Sequence, residues 1–248
     1  MEKKKIKPEE LKKIELDLIK KFGREAQLDG ILNLEEFNKT SPRILWILKE
    51  PNAGYKDDIY SIDNENLNDE EAESSWEKLK EKKEEYYNDV TKIKTGYTLW
   101  KRTFKNISYI TRGVIEKEFK WDYIPDINNE AKIDGKYYVN KIALINLKKV
   151  PGDSNSNDAK IAEFYEDKSR SFILKQIEFI NPDIIFNCSR CYQVFEDLRG
   201  ENPINDDHEF QFAINNGRII INTKHPARKN EIDYVDSNLE IIEQHYKY

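Results

Sequence analysis

Glu50, Asn146 and His225 are the residues whose types and positions could do chemistry together. Each stands at or just past the end of a short apolar run. Arg43-Ile-Leu-Trp-Ile-Leu48 leads into Lys49-Glu50-Pro51-Asn52-Ala53-Gly54, and Lys141-Ile-Ala-Leu-Ile145 into Asn146-Leu-Lys-Lys149. Asp183-Ile-Ile-Phe186 leads into Asn187-Cys188-Ser189, and Arg218-Ile-Ile-Ile221 into Asn222-Thr-Lys-His225-Pro226. A carboxylate can orient or activate a water, and a neutral imidazole can donate to an oxygen that gains charge. A carboxamide offers an acceptor and two donors, enough to read one edge of a base. Together they suit cleavage of an N-glycosidic bond, which passes through an oxocarbenium-like sugar and a leaving base that gains negative charge.

Such a site needs elements that bring distant residues together. Apolar runs of this length, buried on both faces, suit the strands of a parallel sheet. In an open α/β sheet the ligand crevice lies beyond the carboxyl ends of the strands. The spacing predicts strands over 43–48, 140–147, 183–186 and 218–222. Helices are expected over 8–22, 69–94, 98–115, 169–180 and 188–198, with a last one after Asp236-Ser237. Alternation of the two predicts a three-layer α/β/α sandwich around a central, mostly parallel four-stranded sheet. It forms a single domain over 1–248, with an N-terminal helical extension (about 1–40) and a charged helical insertion (about 56–95). The helix over 69–94 reads as solvated, a charged face with no specific partner. Asp134-Gly135 is a turn signal, and Pro151 to Asp158 reads as a polar loop.

The 248 residues carry a net charge of −6, which disfavours non-specific attraction of the whole chain to polyanions. The strand ends are locally basic, through Lys49, Lys148, Lys149, Lys224, Arg228 and Lys229. They suit phosphate contacts, or a merely solvated surface. The two cysteines, Cys188 and Cys191, lack the second pair a structural zinc site needs. They read as thiols in a reducing cytoplasm, with no metal and no cofactor. No apolar run has the length of a membrane span. A monomer is expected.

The strand-end motifs resemble the uracil-DNA glycosylase superfamily. That family opens with Gly-x-Asp-Pro, Gly-x-Asn-Pro or Gly-Glu-Ala-Pro-Gly after its first core strand; here the text is Leu48-Lys49-Glu50-Pro51-Asn52. A base-reading Asn ends a middle strand, matched by Asn146 in Ala-Leu-Ile-Asn146-Leu-Lys-Lys, most like the branch that carries an iron–sulfur cluster. A helix-to-strand step corresponds to Ile180-Asn-Pro182-Asp183, and the closing His-Pro-Ser to His225-Pro226-Ala227. Order and approximate spacing agree over about 40–245. Leu48, Glu50 and Ala227 depart from the pattern, and two cysteines do not make the four that the cluster requires.

The resemblance implies a monofunctional DNA base glycosylase acting on a flipped base, uracil or related, in single- or double-stranded DNA. Glu50 and His225 would be catalytic. Asn146, Pro51 and Asn52 would line the base pocket, with Tyr55 or Tyr97 stacking on the base. Arg228 would enter the duplex at the vacated position and Lys229 would hold a phosphate. Each residue also has a plainer reading: Glu50 as a turn residue, Asn146 as a turn cap, His225 as packing. Two other functions remain open: a non-catalytic nucleic-acid binder on the same fold, and an α/β enzyme acting on a nucleotide-like small molecule. Repair and defence against modified foreign DNA both suit the first.

Overall fold

The four apolar runs do form strands, and they lie side by side. The computed structural model describes residues 3–24, 26–49, 67–90, 93–94, 97–98, 102–123, 138–150, 157–207, 210–228 and 231–247. The strands are β1 (Gly30–Ile31), β2 (Ile44–Leu48), β3 (Ile93–Lys94), β4 (Tyr97–Thr98), β5 (Ala143–Asn146), β6 (Ile184–Asn187), β7 (Asn205–Asp207), β8 (Phe210–Asn215) and β9 (Arg218–Asn222). The helices are α1 (Pro8–Phe22), α2 (Leu34–Lys39), α3 (Asp69–Val90), α4 (Arg102–Glu116), α5 (Asp158–Phe164), α6 (Arg170–Ile180), α7 (Tyr192–Arg199) and α8 (Glu231–His245).

The main sheet has the order β1-β5-β2-β6-β9-β8-β7. Its central strands β5, β2, β6 and β9 are mutually parallel. The expected four-stranded sheet is therefore corrected to a mixed seven-stranded one. β1 adds antiparallel to β5, and β8 and β7 add antiparallel beyond β9. The N-terminal segment is thus no appendage, because it supplies an edge strand. The β8–β9 hairpin turns at Asn216-Gly217, where φ is +52° and +76°. Two consecutive positive φ values in a two-residue loop favour Asn-Gly, because that turn matches the strand twist.

Alternation along each strand sorts the core into two layers. Ile44, Trp46, Leu144, Phe186 and Ile221 pack with Ile107, Ile110, Val235 and Leu239 of α4 and α8. Leu45, Ile47, Ile145, Ile185 and Ile220 pack with Ile173, Ile177, Val194 and Phe195 of α6 and α7. Helices thus cover both faces, the arrangement that lets central parallel strands be apolar throughout. Trp46 stacks on Phe186 with ring centroids 4.2 Å apart, fixing two neighbouring strands on the α4/α8 side.

α3 departs from the reading of a merely solvated helix. Ala72 and Leu79 join Ile14, Leu18 and Phe22 of α1 in a third cluster. Lys83 is buried, donating to Glu15 Oε1 (3.0 Å) and to the Ile31 carbonyl (2.9 Å), while Trp76 donates to Glu15 Oε2 (2.9 Å). Three polar contacts on one helix face are invisible to a count of charges. α8 also starts before Asp236-Ser237, at Glu231. The expected turn at Asp134-Gly135 lies outside the described residues. No described helix is long and apolar enough to cross a membrane.

Candidate functional site

Strand register sets the geometry at the carboxyl edge. Leu48 lies opposite Asn146, Ile47 opposite Asn187, and Asn187 opposite Asn222. The polar ends of β5, β2, β6 and β9 therefore form one row. Three strand spacings separate the ends of β5 and β9, about 14 Å at backbone level. Asn146 shares the parity of Leu144, so it faces the α4/α8 layer. The loop after β9 is tied to the same layer. Asn106 of α4 donates to the Pro226 carbonyl (2.6 Å), and the Tyr234 hydroxyl of α8 donates to the Lys224 carbonyl (2.8 Å).

His225 is half-buried, and its Nδ1 accepts the Ala227 backbone N–H at 3.3 Å. A ring nitrogen that accepts carries no proton, so the neutral imidazole keeps its hydrogen on Nε2. The local turn thereby makes Nε2 a donor. Asn106 is wholly buried, and its bond to Pro226 carries the loop. Asn106→Ala would strand that carbonyl, and thermal unfolding is expected to show a loss of about 1–3 kcal/mol. An unchanged unfolding midpoint would mean the loop is held by other contacts.

Behind Asn146 lies a buried ionic anchor. Asp29 Oδ2 accepts the Asn146 backbone N–H at 2.7 Å. Lys149 donates to both Asp29 oxygens (3.0 and 2.8 Å) and to Gln176 Oε1 (2.8 Å). Gln176 Nε2 returns a bond to Asp29 Oδ1 at 2.8 Å. Gly30, next to Asp29, has φ +98°, and a Cβ there would come within 3.2 Å of Gln176 Nε2. Burial lowers the Lys149 pKa while Asp29 opposes that shift.

These contacts correct two readings. Lys149 is completely buried, so it braces the strand end and does not meet a phosphate. Lys49 is also buried, and its ammonium is committed to Asp158 at the start of α5. Asp158 in turn accepts Arg190 Nη1 at 3.1 Å. Burial raises the Asp158 pKa, but the bonds from Lys49 and Arg190 outweigh this and hold it below the usual carboxylate range. Of the other basic residues, Lys148 and Lys224 are part-exposed. The Lys148 backbone N–H donates to the Lys49 carbonyl at 3.0 Å, tying the ends of β5 and β2 together.

No family model, no curated protein and no solved structure matches this chain. The reading of the edge therefore rests on its own residues.

Glu50, Pro51, Asn52, Tyr55 and Lys229 lie outside the described residues. So do the side chains of Tyr97, whose backbone pairs with Lys94 in a short ribbon, and of Arg228, which ends the turn Pro226–Arg228. Asn146 and the His225 loop lie on the same side of the carboxyl edge, with strands β2 and β6 between them. The structure also shows residues that sequence reasoning did not single out. Asn187 is buried and organises the turn after β6. Its Oδ1 accepts the Ser189 hydroxyl at 2.6 Å, and its Nδ2 donates to the Cys191 carbonyl (3.1 Å) and Asn222 Oδ1 (3.0 Å). An Asn ending each of three strands was a visible signal for this row. Asp29 and Gln176 carried no signal, since nothing nearby in sequence marks them as partners of Lys149. Cys188 and Cys191 are free and buried, and burial raises both thiols above their usual pKa.

Proposed function

We propose that the chain is a monofunctional glycosylase that releases a damaged or modified base, uracil or a relative, from DNA. The observation that supports this reading is that Asn146 and the loop carrying His225 share one side of the carboxyl edge, with His225 Nδ1 accepting the Ala227 N–H. The side chain of Asn146 has no hydrogen bond among the described residues, so its amide is available to a base edge. In this reading His225 Nε2–H donates to the base oxygen that becomes negative as the glycosidic bond breaks. Glu50, which follows Lys49 at the end of β2, orients the water that attacks the anomeric carbon. Pro51 and Asn52 flank the base, and Tyr55 or Tyr97 stacks on it. Lys148, Lys224, Arg228 and Lys229 meet phosphates, and Arg228 fills the vacated position. Hydrolysis by water is favoured over lyase chemistry, because two lysines nearest the edge, Lys49 and Lys149, are already bound to carboxylates.

The test is a panel of labelled single- and double-stranded oligonucleotides carrying uracil, deaminated purines or modified cytosines, read by alkali cleavage at abasic sites. Cleavage at one lesion, absent with Glu50→Ala, is the expected result. Binding without any abasic site across the panel would replace this reading by a non-catalytic nucleic-acid binder. Absence of both binding and cleavage would remove nucleic acid as the ligand.

A further inference from the structure

A second site lies at the far end of the same edge from Asn146. A cavity of about 500 Å³ opens between the turn after β6, the end of β9 and the added strands β7 and β8. Its volume is within the range of small-molecule sites, about 300–1,000 Å³. We propose that it binds a nucleoside phosphate, with the phosphate on Arg190 and Lys224 and the base on Tyr192. The proposal does not depend on base release at Asn146 and His225.

Each part has a physical basis. Arg190 and Lys224 line the cavity against one carboxylate, Asp206, so its charge favours an anion. Arg190 adopts φ +62°, a left-handed conformation uncommon for a residue with a Cβ. The turn is locked in that state by Asn187, Ser189 and the Cys191 N–H, which donates to Ser189 Oγ at 3.1 Å. Asp158 takes one of the five guanidinium N–H donors, steadying the group while leaving others for phosphate oxygens. Tyr192 is 41% exposed at the cavity wall, unusual for so large a ring, and packs on Phe195 at 5.8 Å. An exposed aromatic beside two cations is the arrangement on which a base stacks while its phosphate is held.

Specificity comes from the sheet. Gln211 lies opposite Asn222 in the β8–β9 register, so two carboxamides sit side by side on one face. Asn222 Oδ1 is occupied by Asn187, which leaves Asn222 presenting its amide hydrogens. They suit an acceptor on the base edge, and the Asp206 carboxylate suits a ribose hydroxyl. β7 and β8 supply Asp206 and Gln211, so the site exists only because the sheet extends past its parallel centre.

The test is calorimetric titration of the full chain with 5′-AMP, adenosine, inorganic phosphate and a 5′-phosphorylated single-stranded oligonucleotide. AMP is expected to bind at least about tenfold more tightly than adenosine or phosphate alone. Tyr192→Ala should weaken AMP by about tenfold, the scale of one lost base stack. Arg190→Gln should bring AMP down to the affinity of adenosine. Both positions are exposed, so their thermal unfolding serves as a control for folding. His225→Ala should leave AMP binding unchanged. Competition by the oligonucleotide would identify a strand end as the source of the ligand, and its absence a free nucleotide; both keep the site. Equal affinity for AMP and adenosine, no AMP binding at millimolar concentration, unchanged affinity in both pocket variants, or loss of AMP binding in His225→Ala would overturn it.

Discussion

Asp29→Ala is expected to destabilise the protein by about 3–5 kcal/mol, the usual cost of leaving a buried charge without its partner. The Asp29 and Lys149 side chains are both fully enclosed. Removing the carboxylate leaves the ammonium with Gln176 Oε1 alone, in a site with no route to water. It also removes the acceptor of the Asn146 N–H, so the end of β5 loses its brace together with the ion pair. For a chain of this size the unfolding midpoint should fall by about 6–20 °C. The double variant Asp29→Leu/Lys149→Met tests the cause. An apolar pair of similar volume is often neutral or stabilising at a buried ionic site, so the double variant should recover most of the loss. A midpoint for Asp29→Ala within about 2 °C of the parent would show that the pair is not isolated from solvent.

His225→Ala is expected to lower the rate of base release by about 10²–10⁴-fold, the range for a positioned proton donor or electrophile. Oligonucleotide affinity should change far less, because phosphate contacts dominate it. The split between rate and binding separates chemistry from docking. His225→Gln keeps a side-chain donor without the imidazole and should fall between the two. A His225→Ala rate within about threefold of the parent would remove the ring from the reaction, since general acid–base groups contribute at least about a hundredfold. Loss of affinity with unchanged rate would make His225 a docking residue.

The layered arrangement and the site edge were legible in the sequence to different depths. Ile44–Leu48 and Ile184–Asn187 are runs whose every residue is buried, which is why a contiguous apolar string identified them without any alternation. Asn-Gly at 216–217 is a strong hairpin signal, and in the structure it turns the chain between β8 and β9. β1 and β7 gave no such signal. At two and three residues they are too short to show a period, and their pairing partners set them.

The basic strand ends show the limit most clearly. Lys49, Lys148, Lys149 and Lys224 look alike in sequence. Lys148 and Lys224 remain part-exposed, while Lys49 and Lys149 turn inward to Asp158 and Asp29. Lys149 and Asp29 are 120 residues apart, and no local pattern carries that information. The sequence by itself determined which segments become central strands and which polar residues end them, because burial on both faces requires unbroken apolar runs. Only the tertiary structure decided the strand order, the three added strands, the tautomer of His225 and which lysines are enclosed. Pairing and desolvation act between residues distant in the chain, so their outcome is fixed by packing and not by neighbours in sequence.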